Sequence, residues 1–397
     1  MSERVVVAGA GPTGLVTALC LAEHGIPVIV LEAEPALPEN LRASTFHPPT
    51  LDMLDRFDAT ERLIAMGLVA PRFQYRTRHG GCFAEFDFEV LRDETRHPYR
   101  VQCEQYKLNA VLLERLTRSA TADIRFKTSL IGVEAQGECP VAVVQQGGRT
   151  ERIDARYVVG AEGARSVVRE AMGIAFEGFT WPERFLVAST PFPFEEHFKD
   201  LTQVNYIADP DEWFFLLRVS DMWRTMIPTR AEESDEAVLS DEQVQRRLNR
   251  IVPMAAPYPV THRTLYRVHQ RVAAAYRKGP CFLVGDAAHI NNPLGGMGMN
   301  GGVHDAFNLA EKLTAVWHGE KDETYLDLYE RQRRPVALEY VNTITIRNKR
   351  NLEARDPDEQ RRFQDSMRAA AADPEKARAY LRQVSMIASL EKAASVS

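Results

Sequence analysis

The sequence of 397 residues contains no apolar run long enough for a membrane-spanning helix. Such a helix needs roughly 20 consecutive apolar residues. Positive charge is not in excess either, because 49 lysines and arginines are balanced by 55 aspartates and glutamates, and the net charge is −6. We therefore expect neither a nucleic acid nor a membrane as a partner.

Cysteine is scarce: five residues lie far apart and form no Cys-x-x-Cys pair. This pattern favours free thiols in a reducing compartment over disulfides or a zinc site. No cluster of metal-ligating residues and no Ser–His–Asp arrangement stands out, so no metal is expected. The chain begins with Met1 to Arg4 and enters an apolar strand without a signal-peptide layout. These features predict a cytoplasmic, soluble protein.

A glycine-rich turn near the N-terminus joins a β-branched strand to a helix with apolar residues at helical spacing. The turn reads Gly9-Ala10-Gly11-Pro12-Thr13-Gly14. Gly9 permits a tight turn, Gly11 lets the backbone approach a pyrophosphate, and Gly14 lets the helix pack closely on the strand. The start of the helix, with Pro12 and Thr13, offers N–H groups to phosphates.

A second apolar strand, 28–31, ends at Glu32, 18 residues after Gly14. An acid at this position accepts hydrogen bonds from the adenosine ribose hydroxyls and repels a 2′-phosphate. Strand, turn, helix, second strand and acid together predict a dinucleotide site. The segment does not distinguish NAD from FAD, and a glycine turn in another α/β protein is the alternative.

Two later glycine segments favour FAD. Strand 156–159 leads into Gly160-Ala161-Glu162-Gly163, which by itself is also compatible with an ordinary strand–helix connection. Strand 281–284 places Gly285 and Asp286 at its carboxyl end, where open α/β sheets bind ligands. Asp286 can hold sugar or ribityl hydroxyls there.

Glycine also dominates the start of the next helix, since five of the eight residues from 295 to 302 are glycine. A helix N-terminus this open can meet a flat polar ring directly. Its positive dipole end stabilises the negative charge of a reduced flavin. A flexible glycine loop is the alternative interpretation.

In this order, the segments resemble group A flavoprotein monooxygenases, the family of para-hydroxybenzoate hydroxylase and phenol hydroxylase, over essentially the whole chain. The family pattern is G-x-G-x-x-G with a ribose acid, a middle D-G, and G-D followed by P-x-x-G-x-G-x-N. Glu162 departs from it, standing where the family carries Asp. The resemblance implies FAD contacts at Gly9, Gly11, Pro12, Thr13, Gly14, Glu32, Glu162, Gly285, Asp286, Gly296, Gly298, Met299 and Asn300, and a catalytic position at Pro293.

Two further segments resemble the family. Arg42 precedes a helix and matches the arginine that contacts the FAD phosphates and neighbours the pyridine nucleotide; a surface arginine is the alternative. Gln105 opens the helix that continues to Leu116 and matches the glutamine that touches the ribityl chain. Both are therefore cofactor-binding candidates.

The resemblance implies an α/β fold: a Rossmann-like FAD-binding domain with an inserted, mainly antiparallel β-sheet substrate domain and C-terminal helices. We expect residues 1–180 to form the first part of the FAD-binding domain and 181–272 the substrate domain. Residues 273–345 would return to the FAD-binding domain, and 346–397 would form the C-terminal helices. Patterning predicts three short strands within 201–228.

The faces of these three strands suggest where a substrate would lie. The residues predicted to share a face in each strand are Val204, Tyr206 and Ala208; Trp213, Phe215 and Leu217; and Thr225 and Ile227. Such an aromatic-rich face suits a flat organic ring, although each side chain could equally belong to the core. Tyr206 and Phe215 are the pocket candidates, and Tyr206 could help to remove a phenol proton. His47, beside Arg42, is a second candidate base or a turn residue.

The resemblance implies a reaction in which NADH or NADPH reduces FAD. The reduced flavin and O2 give a C4a-hydroperoxide, whose distal oxygen passes to an activated aromatic or N-heteroaromatic substrate of the phenol, aminobenzoate or hydroxypyridine type. A polyketide or quinone-precursor hydroxylase is the alternative. A flavin reductase or dehydrogenase, a non-catalytic flavin-binding sensor and a halogenase are further possibilities, but the halogenase signature W-x-W-x-I-P is missing. Monomer and homodimer both remain open.

Overall fold

The computed structural model describes residues 3–39, 41, 43–136 and 139–397, which two large sheets organise. The strands are β1 Val5–Ala8, β2 Val28–Leu31, β3 Thr45–Phe46, β4 Leu68–Ala70, β5 Arg72–Thr77, β6 Gly81–Asp87, β7 Arg100–Gln102, β8 Ala122–Arg125, β9 Thr128–Gln136, β10 Cys139–Gln146, β11 Arg149–Asp154, β12 Tyr157–Gly160, β13 Phe176–Thr190, β14 Val204–Ala208, β15 Phe214–Val219, β16 Met222–Pro228, β17 His262–Ala273, β18 Arg277–Lys278, β19 Cys281–Leu283 and β20 His289–Ile290.

Helices connect and cover these strands. The α-helices are α1 Pro12–Glu23, α2 Pro48–Leu54, α3 Ala59–Met66, α4 Gln105–Leu116, α5 Val167–Ala171, α6 Asp235–Val238, α7 Asp241–Ile251, α8 Met297–Trp317, α9 Asp327–Val336, α10 Thr345–Glu353, α11 Pro357–Ala372, α12 Pro374–Val384 and α13 Ile387–Ala394. A π-helix, Ala337–Ile344, joins α9 to α10. No helix of the described part of the chain combines the length and apolar character needed to cross a bilayer.

The first large sheet has six strands in the order β18-β19-β12-β1-β2-β8. All neighbours in it are parallel except β18, which runs antiparallel to β19. Every residue of β1, β2 and β12 is buried, as expected for parallel strands that are covered on both faces. Apolar side chains of α1, α4 and α8 belong to the same core as these strands.

The second large sheet has eight strands in the order β20-β17-β13-β16-β15-β14-β5-β6. Only β14 and β5 are parallel to each other. The three strands predicted within 201–228 are β14, β15 and β16. Two other strands, β5 and β6, come from residues 72–87, within the segment expected to form the first part of the FAD-binding domain.

The C-terminal helices pack on the eight-stranded sheet. Phe363 of α11 and Leu381 of α12 share a core with Phe73, on β5, and Tyr206, on β14. The architecture is therefore the predicted α/β fold, which combines a Rossmann-like, mainly parallel sheet with an inserted, mainly antiparallel sheet and C-terminal helices. The two sheets meet around one cavity.

Candidate active site

A cavity of about 910 Å³ is lined by residues of both large sheets. Its size suits a large organic ligand, because ligand pockets typically measure about 300–1,000 Å³. Predicted site residues that line it include Gly9, Gly11, Pro12, Thr13, Glu32, Gln105, Glu162, Tyr206, Phe215, Asp286, Pro293, Gly296, Gly298 and Met299. The three glycine segments and the substrate-side strands therefore converge on one site. Arg42 lies outside the described residues.

The first glycine turn divides into positions that the fold needs and one that is open. Gly9 has a φ of +98°, and a Cβ there would lie 2.6 Å from the Ala161 carbonyl oxygen. A Cβ on Gly14 would lie 2.0 Å from the Gly9 oxygen. Around Gly11, by contrast, a Cβ would meet nothing within 4 Å. Gly11 therefore leaves free space in the cavity at the start of α1, where the phosphates of a dinucleotide would lie.

Glu32 lies at the carboxyl end of β2 and folds back over the turn. Its Oε2 accepts a hydrogen bond from the Ala10 backbone N–H at 3.0 Å, and its Oε1 accepts one from the Glu34 N–H at 3.0 Å. These bonds hold the carboxylate at the edge of the cavity. The position fits a role as acceptor for ribose hydroxyls.

Glu162 uses its carboxylate within its own loop. Its Oε1 accepts the Val168 N–H at 2.9 Å, and its Oε2 accepts the Ser166 hydroxyl at 2.9 Å, so the side chain caps α5. Burial raises the pKa of Glu162, against the lowering effect of these hydrogen bonds. The longer side chain that replaces the family's Asp is thus held by the N-terminus of a helix.

Thr13 connects the first glycine segment to the third. A Cβ on Gly285, whose φ is +58°, would lie 2.7 Å from the Thr13 Oγ1, and a Cβ on Gly302 would lie 2.4 Å from the same atom. Close packing of α1 on α8 and on the turn after β19 therefore favours glycine at both positions. Asp286 follows Gly285 and is exposed at the cavity wall.

Asn300 fixes the glycine loop that precedes α8. Its amide donates to the carbonyl oxygens of Thr45, at 2.9 Å, and Gly296, at 2.6 Å. Its Oδ1 accepts the backbone N–H of His47 at 3.0 Å. Gly296 has a φ of +68° and begins the helix. The amide thereby holds the open helix N-terminus against β3.

His47 lies behind this wall and is completely buried. Its Nε2 is 2.8 Å from the Gly295 carbonyl oxygen, to which it donates in the tautomer that fits the contact. Burial lowers the pKa of His47 well below its usual range, and the charge of Arg100 lowers it further. The imidazole therefore stays neutral and supports the glycine loop.

The substrate side of the cavity is aromatic. The Tyr206 ring stacks on Phe215, with 5.1 Å between ring centroids, and on Tyr75, at 5.2 Å. Tyr75 lies on β5, and its hydroxyl is 2.8 Å from that of Tyr380 on α12. The C-terminal helices, to which sequence patterning assigned no role in the site, therefore support its aromatic wall.

Strand β16 turns toward the cavity the face opposite to the one predicted, which carries Thr225 and Ile227. In β16, Arg224 and Met226 line the cavity. Thr225 is buried beneath the sheet, and Ile227 belongs to the core there. The register decides this, because Met226 pairs with Phe215 across the antiparallel ladder.

Sequence reasoning missed the two buried arginines of the cavity, Arg100 and Arg224. Arg100 belongs to the three-residue strand β7, which is too short for a patterning signal. Arg224 lies in an otherwise apolar strand. A charged residue inside such a run is the sequence signal that could have identified it as a site residue. Tyr266, from β17, also lines the cavity and donates its hydroxyl to the Leu41 carbonyl oxygen at 3.1 Å.

The site suits FAD on its own geometry. Gly11 opens the turn to a pyrophosphate, Glu32 offers carboxylate oxygens for a ribose, and the first turn of α8 offers N–H groups to a ring. A single cavity connects these elements to the aromatic wall at Tyr206. The fold and the site therefore define an FAD-dependent oxidoreductase that brings its cofactor beside an organic substrate.

Comparison with known proteins agrees with this class. The family described as "FAD binding domain" matches residues 2–343. The chain belongs to this family and, as its motifs predicted, to the group A flavoprotein monooxygenases. It is an FAD-dependent aromatic monooxygenase.

Several relatives are similar over nearly their whole length. Para-nitrophenol 4-monooxygenase of Pseudomonas sp. (strain WBC-3) is 36% identical over 390 residues, which cover 96% of this chain and 94% of the relative. The 6-hydroxy-3-succinoylpyridine 3-monooxygenase HspB of Pseudomonas putida (strain DSM 28022 / S16) is 32% identical, covering 90% and 91%. The crystal structure of p-nitrophenol 4-monooxygenase PnpA from Pseudomonas putida DLL-E4 superposes with a TM-score of 0.91 at 32% identity, covering 98% of both chains.

Proposed function

We propose that this enzyme uses NADH or NADPH and O2 to oxygenate a small phenol or hydroxypyridine. The observation that carries this proposal is the continuous cavity, which runs from the dinucleotide turn at Gly11 to the stacked rings of Tyr206 and Phe215. A flat ring can bind there beside the glycine loop that precedes α8. The substrates named for the two curated relatives above, a nitrophenol and a hydroxypyridine, support this class.

A polyketide substrate is the second candidate, but sequence similarity favours the small ring. The para-nitrophenol 4-monooxygenase is 36% identical over 390 residues. The 6-methylpretetramide 4-monooxygenase of Streptomyces rimosus is 31% identical over 342 residues.

Different residues around the cavity would bind different parts of FAD. We infer that Gly11, Pro12 and Thr13 take the pyrophosphate and that Glu32 takes the ribose. Gln105 and Asp286 are assigned to the ribityl chain, since both line the cavity between the sheets. Pro293, Gly296, Gly298 and Met299 form the wall assigned to the flavin ring. Glu162 and Arg42 stay candidates for the nucleotide end.

When bound, FAD supplies the redox chemistry, taking electrons from the pyridine nucleotide and passing one oxygen atom of O2 to the substrate. The protein must position the ring and exclude water. Val187, Val204 and Leu217 make the strand side of the cavity apolar. Such a wall protects a reactive site from solvent and strengthens the electrostatic interactions within it.

Tyr206 is the better of the two predicted residues for handling the substrate proton. Its ring is held by Phe215 on one side and Tyr75 on the other, and it lines the cavity. His47 lies behind the glycine loop. We therefore assign Tyr206 to orient the ring hydroxyl and His47 to hold Gly295.

The expected division of the chain is also a proposal. Residues 1–180 and 273–345 would hold FAD, while 181–272 and 346–397 would enclose the substrate. Because β5 and β6 extend the substrate-side sheet, residues 72–87 are assigned to the substrate part as well.

The test is a screen of phenols, hydroxypyridines and aminobenzoates against the FAD-loaded enzyme. We expect selected compounds to stimulate NADH or NADPH oxidation and to gain one oxygen atom, or to exchange a ring substituent for oxygen, by mass spectrometry. Failure of both pyridine nucleotides to reduce the bound FAD would overturn the proposal. Product formation only from multi-ring polyketides would favour the second candidate.

A further inference from the structure

Arg100 carries a buried charge in the cavity wall without an acidic partner. It is 2% exposed and lines the cavity from strand β7. Its guanidinium lies over the rings of Phe73, at 4.8 Å from the centroid, and Phe88, at 5.1 Å. Its Nε is buried and has no hydrogen-bond partner, and no carboxylate of the described residues forms an ion pair with it.

Three other buried arginines have a carboxylate or carbonyl partner. Arg333 binds Asp305 at 2.6 Å, Arg247 binds Glu233 at 2.6 Å, and Arg169 donates to the Ala287 carbonyl oxygen at 3.0 Å. A buried charge that lacks such partners is strongly unfavourable. Two aromatic faces compensate only part of that cost, because cation–π attraction is weak compared with the loss of hydration. The fold therefore retains at Arg100 a charge that the described residues do not neutralise.

Four side chains that can titrate lie around Arg100: Tyr75 on β5, Tyr206 on β14, Tyr380 on α12 and His47 before α2. Burial raises the pKa of Tyr75 and of Tyr380, and it lowers that of His47. These three shifted groups are therefore uncharged at ordinary pH, so the positive potential of Arg100 is available to a ligand in the cavity.

The position of Arg100 links it to the substrate end of the site. Phe73, on which the guanidinium lies, contacts the Tyr206 ring edge-on, with 6.2 Å between centroids. The dinucleotide turn at Gly9–Gly14 follows β1 of the six-stranded sheet, whereas β7, which carries Arg100, pairs with β3 and β4 in a small separate sheet. Arg224, the second buried arginine of the wall, faces the charge of Glu104. Arg100 is therefore the arginine with which an anionic substrate would form an ion pair.

We propose that Arg100 is the specificity-determining residue for an anionic ring oxygen, and that it selects the phenolate form of a flat aromatic substrate. This rests on the proposed function for the aromatic class of the ligand. A guanidinium offers five N–H donors, and a charge-assisted hydrogen bond to an oxyanion is among the strongest in proteins. The guanidinium would hold the ring oxygen in its ionised form, activated for electrophilic oxygen transfer, once its proton has left by way of Tyr206.

The test compares an ionisable probe with a neutral one on the oxidised, FAD-loaded enzyme, without reductant. The probes are 4-nitrophenol, whose anion has its own visible absorbance, and 4-nitroanisole, which cannot ionise. We expect the wild type to bind 4-nitrophenol as the anion, even below the pH at which it ionises in solution. Arg100→Met should weaken 4-nitrophenolate binding about ten- to a hundredfold and leave 4-nitroanisole binding unchanged. Arg100→Lys should bind the anion with intermediate affinity.

A second measurement separates recognition from packing. Because Arg100→Met removes an uncompensated charge and keeps an apolar side chain on the two rings, its thermal midpoint without probe should equal or exceed that of the wild type. Arg76→Met is the matched control, since Arg76 is also buried, on β5, but donates to the Lys199 carbonyl oxygen at 2.8 Å. It should lower the thermal midpoint and leave 4-nitrophenolate binding unchanged.

Four results would overturn the assignment of Arg100. Two concern Arg100→Met: unchanged anion binding, or an equal loss of affinity for both probes. Two concern the wild type: 4-nitroanisole bound as tightly as 4-nitrophenol, or neither probe bound. These outcomes are independent of whether NADH or NADPH reduces the FAD, which tests the proposed function alone.

Discussion

Asn300 and His47 lie 253 positions apart in the sequence, yet the backbone N–H of His47 donates to the Asn300 Oδ1 at 3.0 Å. The same amide donates to the carbonyl oxygens of Thr45 and Gly296. One side chain thus ties the start of α8 to the segment that carries β3. The shape of the glycine loop beside the cavity depends on this junction.

Replacing Asn300 should therefore loosen the loop. Asn300→Ala leaves three backbone groups without their partner, and each buried unsatisfied group costs about 1–3 kcal/mol. We expect a lower thermal midpoint and FAD binding weaker by at least about tenfold. Asn308→Ala is the control, because Asn308 lies on the same helix but binds the Gln332 side chain. Equal FAD affinities for the two variants, measured by flavin fluorescence, would contradict the role of Asn300.

Two glycines of the first turn should respond differently to alanine. At Gly11 the backbone angles, φ −71° and ψ 178°, are open to any residue, and a Cβ meets nothing within 4 Å. Gly11→Ala should leave the stability of the FAD-free protein unchanged but weaken FAD binding by about tenfold or more, since the methyl group enters the phosphate space.

Gly14→Ala should instead destabilise the FAD-free protein itself. The new Cβ would lie 2.0 Å from the Gly9 oxygen, and backbone must move to make room. We expect a loss of at least about 2 kcal/mol in the free energy of unfolding. Urea unfolding of both FAD-free variants provides the comparison. If the Gly11→Ala protein were as unstable as the Gly14→Ala protein, Gly11 would be required for the stability of the fold rather than for FAD binding.

Tyr206→Phe tests the assignment of the substrate proton. The substitution keeps the ring stacked between Phe215 and Tyr75 and removes only the hydroxyl. FAD affinity and KM should change little, while kcat should fall by about ten- to a hundredfold, because positioned proton transfer contributes that much or more. Phe215→Leu, which alters the stack without removing a hydroxyl, should act mainly on KM. An unchanged kcat in Tyr206→Phe would remove Tyr206 from the proton path.

The dependence of the free energy of unfolding on pH, below pH 6.5, should contain a contribution from His304. Burial, followed by the charge of Arg333, lowers the pKa of His304 from an ordinary 6.5 to about 3. Between these values the unfolded chain binds the proton and the folded chain does not, so stability is lost as the pH falls below 6.5. One such proton contributes a slope of about 1.4 kcal/mol per pH unit.

His304→Gln should remove that part of the slope in urea unfolding between pH 6.5 and pH 4. Thr50→Val is the control, because it deletes the 2.9 Å contact of the Thr50 hydroxyl with the His304 Nε2 and leaves the imidazole in place. Its slope should stay like that of the wild type. A profile for His304→Gln that parallels the wild type would show that other groups set the acid limit.

The local features of the cofactor site were readable in the sequence, because each depends on neighbours along the chain. Gly9 to Gly14, the helix after them and Glu32 form one strand–turn–helix–strand unit, and the structure has it as β1, α1 and β2. Gly285 and the glycines before α8 could be predicted in the same way, because they too lie in turns between a strand and a helix. Apolar runs and glycines with a positive φ are local requirements, and the sequence shows them directly.

The substrate side was decided by tertiary structure. In β16 both faces are plausible from the sequence, and only pairing of Met226 with Phe215 turns Arg224 toward the cavity. A shift of one residue in that register would exchange the faces. Likewise, Tyr75 stacks on Tyr206 of the wall because β5 pairs with β14, 131 residues further along the chain. The sequence by itself determined that the chain binds FAD, while long-range pairing decided which charges and rings surround the substrate.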